Sequence, residues 1–158
     1  MNLDILKKPC APDEIEWRIA GGGNYITIVP YINNRCVMNR FDEQFGWSGW
    51  SNVVTPIEGG FLCTITVTTD SDTVSKTDGA PMTEVEPIKG GISDAMKRCA
   101  VQFGLGRDLY NYPKVMYLPY EDKDKKYIPD WVKKRLPMMV EAIILGTFKK
   151  ELVIFENK

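Results

Sequence analysis

The sequence predicts an α+β domain in which an antiparallel β-meander packs on a long helix, a β-β-β-α core. Two observations carry this prediction: β-branched, threonine-rich segments separated by short turns over residues 47–76, and an amphipathic helical segment over residues 88–103. The 158 residues suit one domain of ordinary size, and 44% hydrophobic with 26% charged residues is typical of a globular protein.

The first 32 residues predict a helix followed by a strand. Ile15 and Ile19 lie four residues apart, which is helical spacing and predicts a short opening helix over residues 1–20. Three consecutive glycines at 21–23 then allow a turn. Residues 25–32 are rich in β-branched and aromatic side chains, so a strand is expected there.

The middle of the chain predicts a second helix and the meander. Asn33 or Asn34 can cap a helix that continues to Phe45. Strands are expected at residues 47–57, 61–69 and 73–76. Residues 77–86 are mostly polar and are expected to form a loop.

The longest helix is expected over residues 88–103. Its apolar residues follow the spacing of one helical face, beginning at Ile92, and Gly104 and Gly106 close it. Further along, a helix interrupted by Pro137 is expected, and residues 152–155 predict a last short strand.

Composition argues against most catalytic classes. Histidine is absent, which removes every histidine-based triad, metal ligand and proton shuttle. The four cysteines, at 10, 36, 63 and 99, form no CxxC pair, so they encode neither a zinc site nor a thioredoxin-like motif and are expected to be packing residues. The strand, glycine loop and helix of a nucleotide site are also missing. We therefore expect no enzyme, no catalytic residue, no metal site and no cofactor.

Acidic residues between 70 and 86 are the remaining candidates for chemistry. They are Asp70, Asp72, Asp78, Glu84 and Glu86. Their spacing does not fit an EF-hand loop, and they are interpreted as solvated loop acids. A metal-dependent nuclease that uses Asp70, Asp72 and Glu84 stays open as an alternative.

Charge and hydropathy say little about location or partners. No apolar run of about 18 residues is present, so no membrane-spanning helix is expected. Residues 1–14 lack the apolar centre of a secretory signal, and a reducing, cytoplasmic setting is the default expectation. The net charge is −1, so only the local distribution of charge can support nucleic-acid binding.

One side of the 88–103 helix is basic. Lys97 and Arg98 lie opposite its apolar side, about 100° apart. The local basic cluster also includes Lys89, Arg107 and Lys114. Two interpretations remain: a surface that binds phosphates, or a solvated helix face on which Asp94 pairs with Arg98.

The segment from Phe45 to Trp50 places two tryptophans beside glycines. Trp47 and Trp50 could stack on bases, because stacking needs no sequence readout. They could equally pack in the core at a corner between a helix and a strand.

Several short segments occur in a distinctive order. They are Arg18-x-Ala20-Gly21-Gly22-Gly23, Tyr31-Ile32, Val37-Met38-Asn39, Glu43-x-Phe45-Gly46-Trp47-x-Gly49-Trp50, Ser93-Asp94-Ala95-Met96-Lys97-Arg98, and Gln102-Phe103-Gly104-Leu105-Gly106 with Leu109-Tyr110. In this order and spacing they resemble the DNA-annealing domain of the Rad fifty-two family, including its compact phage members of the Sak type. The resemblance covers residues 12–112, about two thirds of the chain.

The resemblance implies a single-strand annealing protein that works without ATP and assembles into an oligomeric ring or helix. In that family single-stranded DNA runs in a basic groove around the outside of the ring. The implied role is homologous recombination or DNA repair in a bacterial or phage-infected cell, with a single-strand-binding protein or a recombinase as possible protein partners. Residues 1–112 would form the annealing core, and residues 113–158 an extension of the same domain or of the oligomer contacts.

The resemblance also implies DNA-binding residues. Lys97 and Arg98 match a basic pair that faces the DNA backbone in the family, and Lys89 lies at a matching basic position earlier on the helix. Trp47 stands where the family commonly has an aromatic residue beside the groove.

Two groove arginines of the family are absent here. They correspond to Cys36 and Val101 in this sequence. Arg35 is the immediate neighbour of the first position, and Arg40 and Arg107 are the other arginines that can compensate.

A structural oligomer without DNA affinity remains as an alternative function.

Overall fold

A computed structural model describes residues 3–157, which form a mixed α+β fold with two β-sheets. The predicted class, α+β with antiparallel strand pairs and helices, is confirmed. The chain divides into two compact units: the described residues up to Lys8 with Ile32–Arg107, and Pro9–Tyr31 with the described residues from Asp108 onward. Within the described range, no helix combines the length and apolar character needed to cross a membrane.

Strands and helices alternate irregularly along the chain. The strands are β1 (Ile15–Gly21), β2 (Ile26–Ile32), β3 (Trp50–Ile57), β4 (Gly60–Thr68), β5 (Thr73–Pro81), β6 (Lys114–Tyr117) and β7 (Leu152–Phe155). The helices are α1 (Asp4–Lys7), α2 (Asn34–Phe45), α3 (Pro87–Gln102), α4 (Asp130–Lys133) and α5 (Leu136–Ile144). Short 3-10 helices occur at Pro12–Glu14, Arg107–Asn111 and Asp122–Lys125.

The first unit contains the predicted three-stranded meander, with β4 between β3 and β5. Cys63 at the middle of β4 lies opposite Val54 on β3 and Asp78 on β5. The three strands are confirmed, but the loop expected over residues 77–86 is wrong in its first part, because β5 continues to Pro81. Polarity did not mark a loop there, because Thr77 is exposed on one side of the strand and Asp78 is half-buried on the other.

Helices α2 and α3 confirm the two strongest helical patterns. The Asn33 side chain accepts a hydrogen bond from the Cys36 N–H at 3.0 Å at the start of α2, and Gly46, with φ of +74°, ends that helix. Helix α3 buries its apolar side and contacts β4 and β5. A Cβ atom at Gly91 would lie 2.7 Å from a ring carbon of Phe61, so the helix approaches the sheet closely there.

The second unit contains a four-stranded sheet in the order β1-β2-β6-β7. Strands β2 and β6 pair antiparallel, and β6 and β7 pair parallel. The opening helix expected over residues 1–20 is wrong for its second half, because Ile15 and Ile19 lie on β1. Ile15, Trp17 and Ile19 are each more buried than the residues between them, so the period of burial is two rather than 3.6.

The C-terminal part of the second unit differs from expectation in two respects. Strand β6 was not predicted, and Pro137 begins α5 instead of interrupting a helix, since its missing N–H has no intrahelical acceptor in the first turn. The final strand, expected at residues 152–155, is confirmed as β7. The buried core of this unit consists of Ile26, Ile28, Val115, Tyr117, Val132, Leu136 and Met139.

Candidate nucleic-acid interface

The turn between α2 and β3 holds its two tryptophans in different environments. Gly46 adopts φ of +74°, and the Gly49 N–H donates to the Gly46 carbonyl at 3.1 Å. A side chain at Gly49 would collide with the Phe45 carbonyl oxygen, so the turn needs glycine at both positions. The result is that Trp47 is 85% exposed, whereas Trp50 is half-buried.

Trp50 belongs to the core of the first unit. Its ring centroid lies 5.2 Å from that of the fully buried Phe41, and its indole N–H donates to the Asp42 carboxylate at 2.7 Å. Phe41 also meets Phe103 of the α3 end edge-on at 5.5 Å. The core interpretation therefore holds for Trp50, and Trp47 presents its aromatic face to solvent.

Both members of the basic pair on α3 have carboxylate partners. Lys97 Nζ lies 2.7 Å from Asp94, one turn earlier, and the Lys97 side chain is only 19% exposed. Arg98 Nε donates to Asp78 Oδ1 on β5 at 3.1 Å, and the Arg98 side chain is 56% exposed. Asp94 thus pairs with Lys97 and not with Arg98, and Arg98 is the more accessible of the two cations.

Asp78 is kept ionised beside Arg98. Burial acts to raise the pKa of its carboxyl group, but the Gly79 N–H at 2.7 Å, the Gln102 side chain and the Arg98 guanidinium outweigh burial and lower the pKa. Asp78 therefore competes with any incoming phosphate for Arg98. Sequence reasoning placed Asp78 in a loop and missed this partner; continuing the alternation of β5 past Lys76 would have found it.

Two other predicted cations are exposed but lie apart on the surface of the first unit. Lys89 pairs with Glu86 at 3.0 Å near the start of α3. Arg98 lies nine positions after Lys89, which is about two and a half helical turns. The two side chains therefore project from opposite sides of α3. Arg35 is exposed on α2, beside the buried Cys36.

Arg107 and Arg40 are bound to the fold through backbone carbonyls. Arg107 donates to the carbonyls of Val101 at 2.9 Å and Gln102 at 3.1 Å, where the end of α3 leaves carbonyl groups without intrahelical donors. Arg40 is buried, and its guanidinium donates to the Ile5 carbonyl at 2.8 Å. Arg40 therefore joins α2 to the backbone of α1.

The four cysteines are buried thiols, as expected of packing residues. The hydrogen bond to Cys99 and burial raise the pKa of Cys63 well above its ordinary value, so its thiol is neutral. The nuclease alternative gains no geometric support: within residues 3–157, Asp70, Asp72 and Glu84 do not bring their carboxylates together as a metal-ligand group.

Comparison with known proteins identifies a matching family and relatives of this chain. The family model described as "Rad52/22 family double-strand break repair protein" matches residues 3–127. The single-stranded DNA-binding protein DdrA of Deinococcus deserti is 30% identical over 138 residues, covering 81% of this chain and 68% of the relative. DdrA of Deinococcus radiodurans, also named a single-stranded DNA-binding protein, is 29% identical over 138 residues, covering 81% of this chain and 65% of the relative.

Proposed function

The chain belongs to the Rad52/22 family of double-strand break repair proteins, and from that premise we propose that it binds single-stranded DNA and anneals complementary strands without ATP. It acts in homologous recombination or repair as a ring or helical homo-oligomer, and it is not an enzyme. The names of its Deinococcus relatives support the DNA-binding step.

The exposure of Trp47 is the observation that carries the proposal. A tryptophan that is 85% exposed gives up most of the burial that its side chain could gain, and a turn built on two glycines holds it there. Stacking of a base on such a ring contributes about 1–3 kcal/mol and tolerates every base. A protein that pairs strands irrespective of sequence needs this kind of contact.

In this proposal Arg98 is the main phosphate contact, and Lys89 and Arg35, which lie apart from it on the surface of the first unit, contact other parts of the strand. Arg98 and Lys89 have carboxylate partners before DNA binds, so DNA exchanges one anion for another at each of them. Each exchange contributes less binding free energy than a new contact with an unpaired cation would. The affinity per subunit is therefore low. Repetition of the same contacts around an oligomer raises the total affinity, so a net charge of −1 is compatible with DNA binding.

In this proposal residues 1–112 carry the DNA contacts, and residues 113–158 extend the domain or contribute to contacts between subunits. The family match continues to residue 127, which supports including the start of the extension in the same domain. The implied protein partners are a single-strand-binding protein or a recombinase, in the cytoplasm of a bacterial or phage-infected cell.

A strand-annealing assay tests the function directly. Complementary oligonucleotides are mixed with the protein, with and without ATP and magnesium, and single-strand binding is followed in parallel by gel shift. We expect binding and accelerated annealing without either additive. Absence of binding at low salt would leave the structural oligomer as the function, and cleavage with magnesium would indicate the nuclease.

A further inference from the structure

Two buried cysteines of the first unit lie in contact between α3 and the sheet that it covers. Cys63 stands near the middle of β4, and Cys99 lies towards the end of α3. Neither side chain is exposed, and the two thiols are hydrogen-bonded to each other. The Cys99 thiol also donates to the Lys76 carbonyl on β5 at 3.0 Å, which holds its sulfur against the sheet. Neither thiol belongs to the contacts proposed for DNA.

Small residues allow α3 to approach the sheet closely enough for this contact. Gly91, Ala95 and Cys99 are spaced four apart, so they share the side of α3 that is buried against β4 and β5. At Gly91 the space is too small even for a Cβ atom, which would meet the Phe61 ring. A disulfide bond brings two sulfur atoms to about 2 Å from each other. Because the thiols of Cys63 and Cys99 are already in hydrogen-bond contact, a small shift of α3 towards β4 is enough to join them.

The two thiols differ in acidity, which suits them to different steps of an oxidation. The hydrogen bond with Cys63 is the largest influence on Cys99 and lowers the pKa of its thiol, against the effect of burial. The same hydrogen bond raises the pKa of the Cys63 thiol, and burial acts in the same direction. The thiolate is the reactive form of cysteine, so Cys99 carries the more nucleophilic sulfur of the pair.

We propose that Cys63 and Cys99 are a modification site for hydrogen peroxide, which converts the pair to an intramolecular disulfide. The Cys99 sulfur attacks the O–O bond, an S–O bond forms, and the leaving hydroxide takes the proton of the Cys99 thiol to become water. The Cys63 sulfur then attacks the Cys99 sulfur, and the displaced hydroxide leaves with the Cys63 proton as a second water. Each sulfur gives up one electron, and the two electrons reduce one peroxide molecule.

Burial of the pair determines when it reacts. In a reducing compartment the pair stays as two thiols, and a disulfide formed there is transient and serves redox sensing. Hydrogen peroxide is close to water in size, and it reaches the sulfurs when α3 opens locally from the sheet. The disulfide ties α3 to β4 and opposes this opening. Arg98 directly precedes Cys99, so oxidation fixes the part of α3 that carries the main proposed phosphate contact.

Tryptic peptide mapping tests the site on the intact, folded chain, because lysines and arginines place each cysteine in a different peptide. Cys63 falls in the peptide 41–76 and Cys99 in the peptide 99–107. The chain is treated with hydrogen peroxide, the remaining thiols are alkylated, and the peptide masses are compared with and without dithiothreitol. We expect the two peptides to be joined, with two hydrogen atoms fewer than the separate peptides, and to separate on reduction.

Cys63→Ala and Cys99→Ala should each abolish the joined peptide, whereas Cys36→Ala, which alters a buried cysteine of α2 in the same unit, should leave it intact. Dithiothreitol should lower the melting temperature of the cross-linked chain by at least about 5 °C. A chain that is folded by circular dichroism and gives no joined peptide, or gives it only after unfolding in urea, would overturn the proposal. An unchanged melting temperature would overturn the tie between α3 and β4. DNA enters none of these measurements, so a failure here leaves the proposed function standing.

Discussion

Arg98 and Asp78 allow the DNA-binding proposal to be tested with two substitutions that act in opposite directions. The Arg98 guanidinium donates to Asp78 at 3.1 Å, and 56% of the Arg98 side chain is exposed. If Arg98 binds phosphate, Asp78 is its competitor, so Arg98→Ala weakens DNA binding and Asp78→Asn strengthens it. Asn keeps the shape of Asp and an oxygen that can accept from the Gly79 N–H.

The size of the effect follows from counterion release. For single strands the logarithm of the observed affinity falls by about 0.7 for each tenfold increase in salt and each phosphate contacted. At about 0.1 M salt, one contact therefore contributes about 0.7 logarithmic units of affinity, or about fivefold. Arg98→Ala should therefore weaken binding about fivefold per subunit and flatten the salt slope by about 0.7. Lys97→Ala should add less, because only 19% of that side chain is exposed.

Fluorescence anisotropy with a labelled single strand, between about 50 and 200 mM salt, measures both quantities. The matched control is the pair Lys133 and Asp130 on α4, a surface lysine 3.6 Å from a carboxylate outside the candidate interface. Lys133→Ala and Asp130→Asn should leave the salt slope unchanged. If Arg98→Ala and Asp78→Asn also leave the salt slope unchanged, Arg98 is only an ion-pair partner. That result would refute the assignment of Arg98 to DNA binding.

Four further outcomes are expected. Trp47→Ala should weaken single-strand binding by about 1–3 kcal/mol yet change the free energy of unfolding by less than about 0.5 kcal/mol, whereas Trp50→Ala should destabilise by about 3 kcal/mol, as measured by anisotropy and urea unfolding. Arg40→Ala should lower the melting temperature, because the Ile5 carbonyl loses its hydrogen-bond donor, and it should not alter the salt slope of DNA binding. Burial, then the nearby Asp124 carboxylate, raises the pKa of Tyr117 to about 12, so its contribution to stability is complete below about pH 10 and is lost as the pH rises towards 12; Tyr117→Phe should remove the tyrosine absorbance step near pH 12. The lowered pKa of Asp78 contributes stability above its unfolded value near pH 4, which is lost as the pH falls through the folded value, and Asp78→Asn should remove that part of acid unfolding.

The helices of the first unit were predictable because their signals are local. An asparagine side chain bonded three residues ahead starts α2, and a glycine at positive φ ends it. In α3 the apolar spacing from Ile92 marks the buried side within a single segment. No contact with a distant part of the chain is needed to see either pattern.

Strand β6 was missed because it depends on partners far along the chain. Strand β6 has four residues, too few for a periodic pattern, and it forms because Val115 lies opposite Ile28 on β2 and beside Val153 on β7. Strand β1 was missed for a different reason, since its neighbour in the sheet is the nearby β2. Residues 15–19 fit helical and strand spacing equally when only the two isoleucines are counted.

In the candidate interface, the wrong end predicted for β5 also led to the wrong ion pairs for Lys97 and Arg98. With β5 ending at Lys76, Asp78 is a solvated loop acid and the nearest carboxylate for Arg98 is Asp94, four residues before it on the same helix. With β5 continuing to Pro81, alternation puts Asp78 on the same side as Lys76, facing α3, where it meets Arg98 across 20 residues of sequence. Asp94 is then available to Lys97, which it holds at 2.7 Å. The partner of each cation is thus decided by how far β5 extends, and single-strand affinity is expected to respond to Asp78 as well as to Arg98.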